Sequence, residues 1–451
     1  MHQSAHLSGL ALLGAYEEDA VIAYRDGQPV AVARFLQDVA QLAALLPARN
    51  HMFNLCADRY RFMVGFCAAL VRGQINLLPP NHTPDLIGRL TLRYSDIYCL
   101  TDVADDYGTL ETLRYPALTG TRTAPATVPS IPAAQTATIV FTSGSTGEPV
   151  PNEKSWGALV RGAAAELNRL GSYLKPGMAV LGTVPPQHMY GLESSMLLVM
   201  QGGFALHAGR PFYPADILAA LAALPQPRCL ITTPVHLRAL LSEPGKLPAV
   251  DLIVCATAPL APQLAAAAEA GFAAPLYEIY GCTEAGQVAT RRTTETAEWH
   301  ALPGLRMRQE ADHTWVSGGH VERAILLQDV IELRDAERFL LHGRNADLVN
   351  IAGKRTSLAS LNYHLNSISG VRDGVFIVPE QGDGAVTRLT AFVVAPGMTR
   401  EALMNALRER IDAAFLPRPL RLVDALPRNA TGKLPREALR EFSARRTAKA
   451  G

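Results

Sequence analysis

At 451 residues the chain is longer than one ordinary core, and its length argues for about two or three domains. Its 42 basic and 41 acidic side chains nearly cancel to a net charge of +1, so no basic field exists to hold a polyanion and nucleic acid is not an expected partner. Hydrophobic residues at 48% against 18% charged supply ample core for a soluble globular protein. The first residues, Met1 to Tyr16, hold a short apolar patch (Leu7 to Leu13) with no Lys or Arg before it and acids directly after, which does not read as a signal peptide. Nothing approaches the ~20 apolar residues of a membrane span, so no membrane partner is expected. The six cysteines, Cys56, Cys67, Cys99, Cys229, Cys255 and Cys282, are scattered without C-x-x-C or paired His spacing, as expected of buried reduced thiols in a cytoplasmic protein.

In chain order, Met63, Phe66, Cys67, Leu70 and Val71 repeat at helical spacing, and Gly73 ends that segment before an extended run at Ile75 to Leu78. The Pro-, Thr- and Ala-rich stretch 119–136 reads as a surface connection. Beyond it, short β-like runs at 138–142, 178–183, 229–233, 251–255 and 276–280 alternate with helical patterns at 155–170, 215–224 and 261–271. Such alternation predicts an α/β fold of parallel sheets covered by helices. A break at His342-Gly343-Arg344-Asn345-Ala346-Asp347 leaves about a hundred residues, enough for a small second domain, so 1–345 and 346–451 are the expected units.

The apolar run Thr138 to Phe141 leads into Thr142-Ser143-Gly144-Ser145-Thr146-Gly147-Glu148-Pro149. Two glycines let the chain turn with φ > 0, and hydroxyls add donors beside exposed backbone N–H groups, a composition suited to wrapping phosphate. No Lys follows Gly147, so this is not a Walker A loop. Four further segments carry chemistry: Tyr277-Glu278-Ile279-Tyr280-Gly281-Cys282-Thr283-Glu284 at a strand end, Pro185-Pro186-Gln187-His188-Met189-Tyr190-Gly191, the pair Asp329 and Gly343-Arg344, and Pro427-Arg428-Asn429-Ala430-Thr431-Gly432-Lys433.

These segments, in their order along the chain, resemble the signatures of the adenylate-forming superfamily of acyl-CoA synthetases, aryl-acid ligases and adenylation domains. The resemblance covers residues 138–434, about two thirds of the chain. It implies a large N-terminal domain holding the ATP and acid sites and a small mobile α+β C-terminal domain. By the same resemblance Thr142, Ser143, Gly144, Ser145, Thr146 and Gly147 wrap phosphates, Tyr280 and Gly281 flank adenine, Thr283 contacts the α-phosphate, and Glu284 holds Mg²⁺, a hard cation that needs few carboxylates beside phosphate oxygens. Asp329 and Arg344 would bind ribose, where a carboxylate accepting two hydroxyls is a selective contact. His188 would lie beside the bound carboxylate. Lys433 would be the adenylation lysine, whose ammonium offsets the repulsion between an attacking carboxylate and ATP. The segment Val349 to Arg355 resembles the loop that turns toward a pantetheine thiol. Family topology places His188, Tyr190, Thr233, Val235, Ala256, Thr257, Ala258 and Pro259 around the acid, with small residues leaving room for a flat ring and no clear basic residue for a second carboxylate.

Several positions depart from the family pattern. Val150-Pro151 replaces the Lys usual after Pro149, although Lys154 stands near enough to substitute; Ala346 replaces the usual acidic hinge residue; Leu327-Gln328 replaces the Thr-Gly before Asp329; and no Gly-Glu-Leu motif appears between Arg291 and Gln328. The compact length, with segments such as Ala57 to Phe62 and Arg72-Gly73-Gln74, resembles ligases of aryl-polyene and xanthomonadin-type pigment clusters. That resemblance implies an AMP-forming acid–thiol ligase that activates a hydroxybenzoate-type acid (4-hydroxybenzoate or 3-hydroxybenzoate) with ATP and Mg²⁺, yields AMP and pyrophosphate, and loads an acyl carrier protein. The alternatives are an acyl- or aryl-CoA synthetase using free coenzyme A, and a noncatalytic nucleotide- or acyl-adenylate-binding protein.

Overall fold

Placement of apolar residues decides the layers. The segment Arg59–Val71 is apolar almost all round, which is stable only when enclosed. It begins at Asp58, whose carboxylate accepts the Arg61 N–H at 2.9 Å, and its side chains join a core that draws residues from two sheets. The computed structural model in which this is seen describes residues 9–447 apart from 15, 18, 80, 95, 105–106, 109, 120–126, 144–148, 312, 345–347, 352–353, 379–387 and 430–433.

Among the described residues, the first sheet runs Pro149–Ser155, Thr136–Ser143, Ile75–Leu78, His51–Asn54, Ile97–Thr101, Thr112–Arg114; all but the first are parallel to their neighbours. The second has a parallel centre of Leu276–Cys282, Leu252–Cys255, Arg228–Thr232, Ala179–Gly182, Ala205–His207 and Val21–Arg25, extended by antiparallel strands at both edges. The helices Trp156–Leu170, Pro214–Ala223 and Pro262–Phe272 accompany these strands. The fold is the expected α/β arrangement, and each expected strand and helix forms with ends within two residues of expectation.

Two of the features not foreseen lie near the expected site. Pro149–Ser155 is an edge strand despite Pro149 and Pro151, because an edge tolerates the missing donors. Leu305–Glu310, His313–Gly318 and Val321–Leu327 form an antiparallel meander in the region where no family motif could be found. Beyond residue 348 a separate apolar cluster gathers the hairpin Leu348–Ile351 and Lys354–Ser357, the helix Leu358–Asn366 and the sheet of Asp373–Ile377, Thr390–Val394 and Leu420–Leu422. At its junction with the preceding strand, Ser357 Oγ donates to the His342 carbonyl at 2.6 Å. Gly343 sits there at φ +118°, and a Cβ would come within 2.7 Å of that hydroxyl.

Candidate active site

The parallel centre of the second sheet aligns its carboxyl ends: Thr232 pairs with Cys255 and Cys255 with Glu278. The loops leaving those ends therefore emerge side by side, where open α/β sheets bind their ligands. They carry Thr233 and Val235, then Ala256, Thr257, Ala258 and Pro259, then Tyr280 to Glu284.

The loop after Leu252–Cys255 is secured by one acid. Glu278, 3% exposed, accepts the Leu260 N–H at 3.0 Å, the Thr293 hydroxyl at 2.7 Å and the Arg291 guanidinium at 2.8 Å. Burial pushes the Glu278 carboxyl up, partly offset by Arg291. Within that loop Ala256 is buried, while Thr257 adopts φ +84°, a conformation that strains a β-branched residue.

The neighbouring acid-pocket residues are partly committed to the scaffold. Tyr190 donates its hydroxyl to the Thr232 carbonyl (3.1 Å) and the Val254 carbonyl (2.9 Å), so only its ring remains to line a pocket. Thr233 caps the helix Pro234–Leu241, its hydroxyl accepting the His236 N–H and lying 3.0 Å from His236 Nδ1. Val235 and His188 are half-buried; His188 opens the short helical turn Met189–Gly191, with its N–H donating to the Pro185 carbonyl at 3.1 Å. That segment is anchored by Arg59, fully buried, which donates to the Gly182 carbonyl (2.7 Å) and the Val184 carbonyl (2.6 Å); burial brings its guanidinium down to about 9.

Among the residues expected to bind nucleotide, some far apart in sequence meet. The Tyr280 hydroxyl donates to Asp329 Oδ2 at 2.7 Å, and Asp329 is the cross-strand partner of Arg344. The Tyr280 ring packs against the stacked pair Trp299 and Phe339, with centroids at 5.8 and 5.7 Å. Gly281 is required by closeness: a Cβ there would lie 2.4 Å from the Gly286 carbonyl oxygen. Thr283 is half-buried and Glu284 exposed, while Thr142 ends the buried strand Thr136–Ser143 half-buried. Gly144, Ser145, Thr146, Gly147, Ala346 and Lys433, with the side chains of Ser143 and Arg344, lie outside the described residues.

Lys154, expected to substitute for the Lys missing after Pro149, reaches beneath the Thr283-Glu284 turn, where its ammonium donates to the Glu284 carbonyl at 2.6 Å. It belongs to a buried polar group with Glu166, Glu193, Ser194, Gln287 and His320, none of which was singled out in sequence; the only signal was charge inside otherwise apolar helical or strand segments. Burial raises the Glu193 carboxyl to about 8 and the Glu166 carboxyl to about 7, and lowers the Lys154 ammonium. All six cysteines are unpaired, five of them buried and Cys282 half-buried. No helix among the described residues is long and apolar enough to cross a membrane.

Residues 65–316 match the family model described as AMP-binding enzyme. The chain is 33% identical over 304 residues to a 4-coumarate–CoA ligase of Rhodobacter capsulatus, covering 66% of this chain and 75% of that one. It is 25% identical over 355 residues to a 3-hydroxybenzoate–CoA/4-hydroxybenzoate–CoA ligase of Thauera aromatica, covering 67% and 65%. Its fold superposes on the ATP-bound MatB of Rhodopseudomonas palustris with a TM-score of 0.79 at 18% identity, over 94% of this chain and 96% of that one. The chain belongs to the AMP-binding enzyme family of adenylate-forming ligases. It is an AMP-forming acid–thiol ligase.

Proposed function

We propose that the enzyme activates an aromatic monocarboxylic acid of the hydroxybenzoate or hydroxycinnamate type with MgATP and passes the acyl group to a pantetheine thiol. The observation that carries this is the convergence of three sets of residues at aligned strand ends: the Tyr280–Asp329 hydrogen bond at 2.7 Å, the Thr283-Glu284 turn, and the small-residue loop Ala256 to Pro259. The aryl–CoA ligases among its relatives support the acid class.

In the first step a carboxylate oxygen attacks the α-phosphorus and pyrophosphate leaves; in the second the thiolate sulfur attacks the acyl carbon and AMP leaves, the thiol proton passing to solvent. Asp329 would accept the ribose hydroxyls beside the Tyr280 hydroxyl, and the Thr283 hydroxyl would donate to the α-phosphate. The exposed carboxylate of Glu284 suits Mg²⁺, which when bound neutralises charge on the leaving pyrophosphate. Lys433 would bridge the acid and the phosphate. Holding both reactants in line lowers the entropic part of the barrier. Residues 346–451 would form the small unit that reorients near Arg344 between the two steps, and their separate apolar cluster supports this division.

The sequence resemblance points to a carrier protein as acceptor, whereas the two relatives described above are named as coenzyme A ligases and favour free coenzyme A. Acid-dependent ATP–pyrophosphate exchange across benzoates, cinnamates and fatty acids, without thiol, tests the first step. Exchange with hydroxylated aromatic acids is expected; exchange with fatty acids alone would overturn the acid class, and silence with every acid would favour a noncatalytic binding protein. Single-turnover transfer to coenzyme A or to a phosphopantetheinyl carrier protein then decides the acceptor.

A further inference from the structure

The turn that joins Leu276–Cys282 to Gly286–Arg291, together with Gln287 just beyond it, is held from below by side chains from four other segments. Lys154, from the edge strand Pro149–Ser155, donates to the Glu284 carbonyl at 2.6 Å. Glu193 Oε1 accepts the Gln287 N–H at 3.3 Å, and it stands so close that a Cβ on Gly286, which has φ +78°, would meet it at 2.6 Å. Glu166 Oε2 and Ser194 Oγ each accept from Gln287 Nε2 at 2.9 Å, and His320 Nε2 lies 2.8 Å from the Gln287 carbonyl. Glu166, Ser194 and Gln287 are at most 3% exposed.

Lys154 itself is only 8% exposed, on the inward face of its strand. The strand pairing slips between Lys154 and Ser155, a bulge of the kind that re-aims a side chain next to functional sites. Placing an ammonium in this core costs desolvation, which Glu193 and the Glu284 carbonyl offset. A hydrophobic residue would fill a buried strand position at no such cost. What Lys154 contributes is a fixed position for the peptide unit that follows Glu284, and hence for the Thr283 hydroxyl and the Glu284 carboxylate on the other side of the turn.

We infer that Lys154 is a positioning residue for the metal and phosphate end of the site, acting through the backbone of the Thr283-Glu284 turn rather than by touching ATP. The inference rests on the reading of Glu284 as the Mg²⁺ carboxylate. The Mg²⁺ dependence of adenylation is then set partly by a residue buried one layer beneath the metal, and the acid pocket, served by a different loop, is insulated from it.

The test is ATP–pyrophosphate exchange in the full-length enzyme, titrated separately in Mg²⁺, ATP and acid. Three variants are compared: Lys154→Met, Lys154→Met with Glu193→Gln, which leaves no unpaired buried charge, and Glu284→Gln. Expected for the double variant, once thermal melting shows it folded, is about a tenfold rise in the Mg²⁺ needed for half-maximal exchange and in KM for ATP, the scale of a lost charge-assisted hydrogen bond, with KM for the acid within about twofold. If Glu284→Gln shifts the Mg²⁺ curve and the Lys154 variants do not, the inference fails and the reading of Glu284 stands. If Glu284→Gln leaves the curve unmoved, the reading of Glu284 fails and takes the inference with it. A uniform loss of kcat with every KM unchanged also overturns it, since that is what general loosening of the core produces.

Discussion

The turn 283–287 and the loop 256–260 leave adjacent strands of one sheet, yet they are held in opposite ways. The turn rests on polar and charged side chains buried under it, which come from four segments and hold its backbone and the Gln287 amide. The loop is made of small residues, carries a strained Thr257, and is tied by one acid, Glu278. Under the proposed function the turn serves phosphate and metal, which are the same for every acid that such an enzyme accepts, so the ionic side can be rigid. The acid is what differs among ligases, and a loop of small side chains changes its shape with few substitutions.

Glu278 joins the two regions, since it sits in the strand leading to the turn and holds the loop. Glu278→Ala leaves Arg291, 17% exposed in its side chain, without its carboxylate, though still stacked on Trp299 at 4.4 Å. Removing one partner of a buried pair costs about 3–5 kcal/mol, the largest effect foreseen here. Urea denaturation should report that loss, and KM for the acid should rise in any fraction that folds. A loss under about 1 kcal/mol would mean the loop is held by something other than Glu278.

The ionic side has its own signature in pH. The Glu166 carboxyl is raised by burial to about 7 from 4.5, so the folded state binds its proton more tightly than the unfolded one. Between those two values the folded protein carries more protons, and stability falls as pH rises, levelling off above about 7. A shift of this size corresponds to about 3 kcal/mol across the window. Glu166→Gln keeps the shape and an acceptor for Gln287, and should flatten the curve of stability against pH between about 4.5 and 7 relative to the parent enzyme. Parallel curves for the two proteins would show that Glu166 stays ionised in the fold.

Much of this was legible in the sequence for a physical reason: apolar periodicity and helix ends are local. Strands such as Leu276–Cys282 and helices such as Trp156–Leu170 appear where 3.6 and short apolar runs placed them. The meeting of Tyr280 with Asp329 was expected only through the family resemblance, since 49 residues separate them. The edge strand Pro149–Ser155 was hidden by its two prolines, and Lys154 was read as a substitute for the Lys missing after Pro149, since nothing local says that its strand turns that face inward. Likewise Tyr190 and Thr233 read as pocket groups, whereas their hydroxyls are spent on strand-end carbonyls and a helix cap. Long-range partners decide such assignments, and periodicity does not carry them.

The smallest effect foreseen concerns the strained loop. Thr257 at φ +84° bears a cost of about 1–3 kcal/mol that glycine does not. Glycine would return about 0.5–1 kcal/mol of that through the greater freedom of its unfolded chain. Thr257→Gly should therefore stabilise the protein by about 1 kcal/mol, seen as a rise in Tm, while Thr257→Ala, which keeps the Cβ, should gain less. If the threonine is retained for what it does to the acid, the same change alters relative kcat/KM among substituted benzoates and leaves KM for ATP alone, since the ionic side does not share this loop. A fall in Tm would show that the contacts of the Thr257 side chain outweigh its strain, and a matching change in KM for ATP would show that loop and turn are coupled after all.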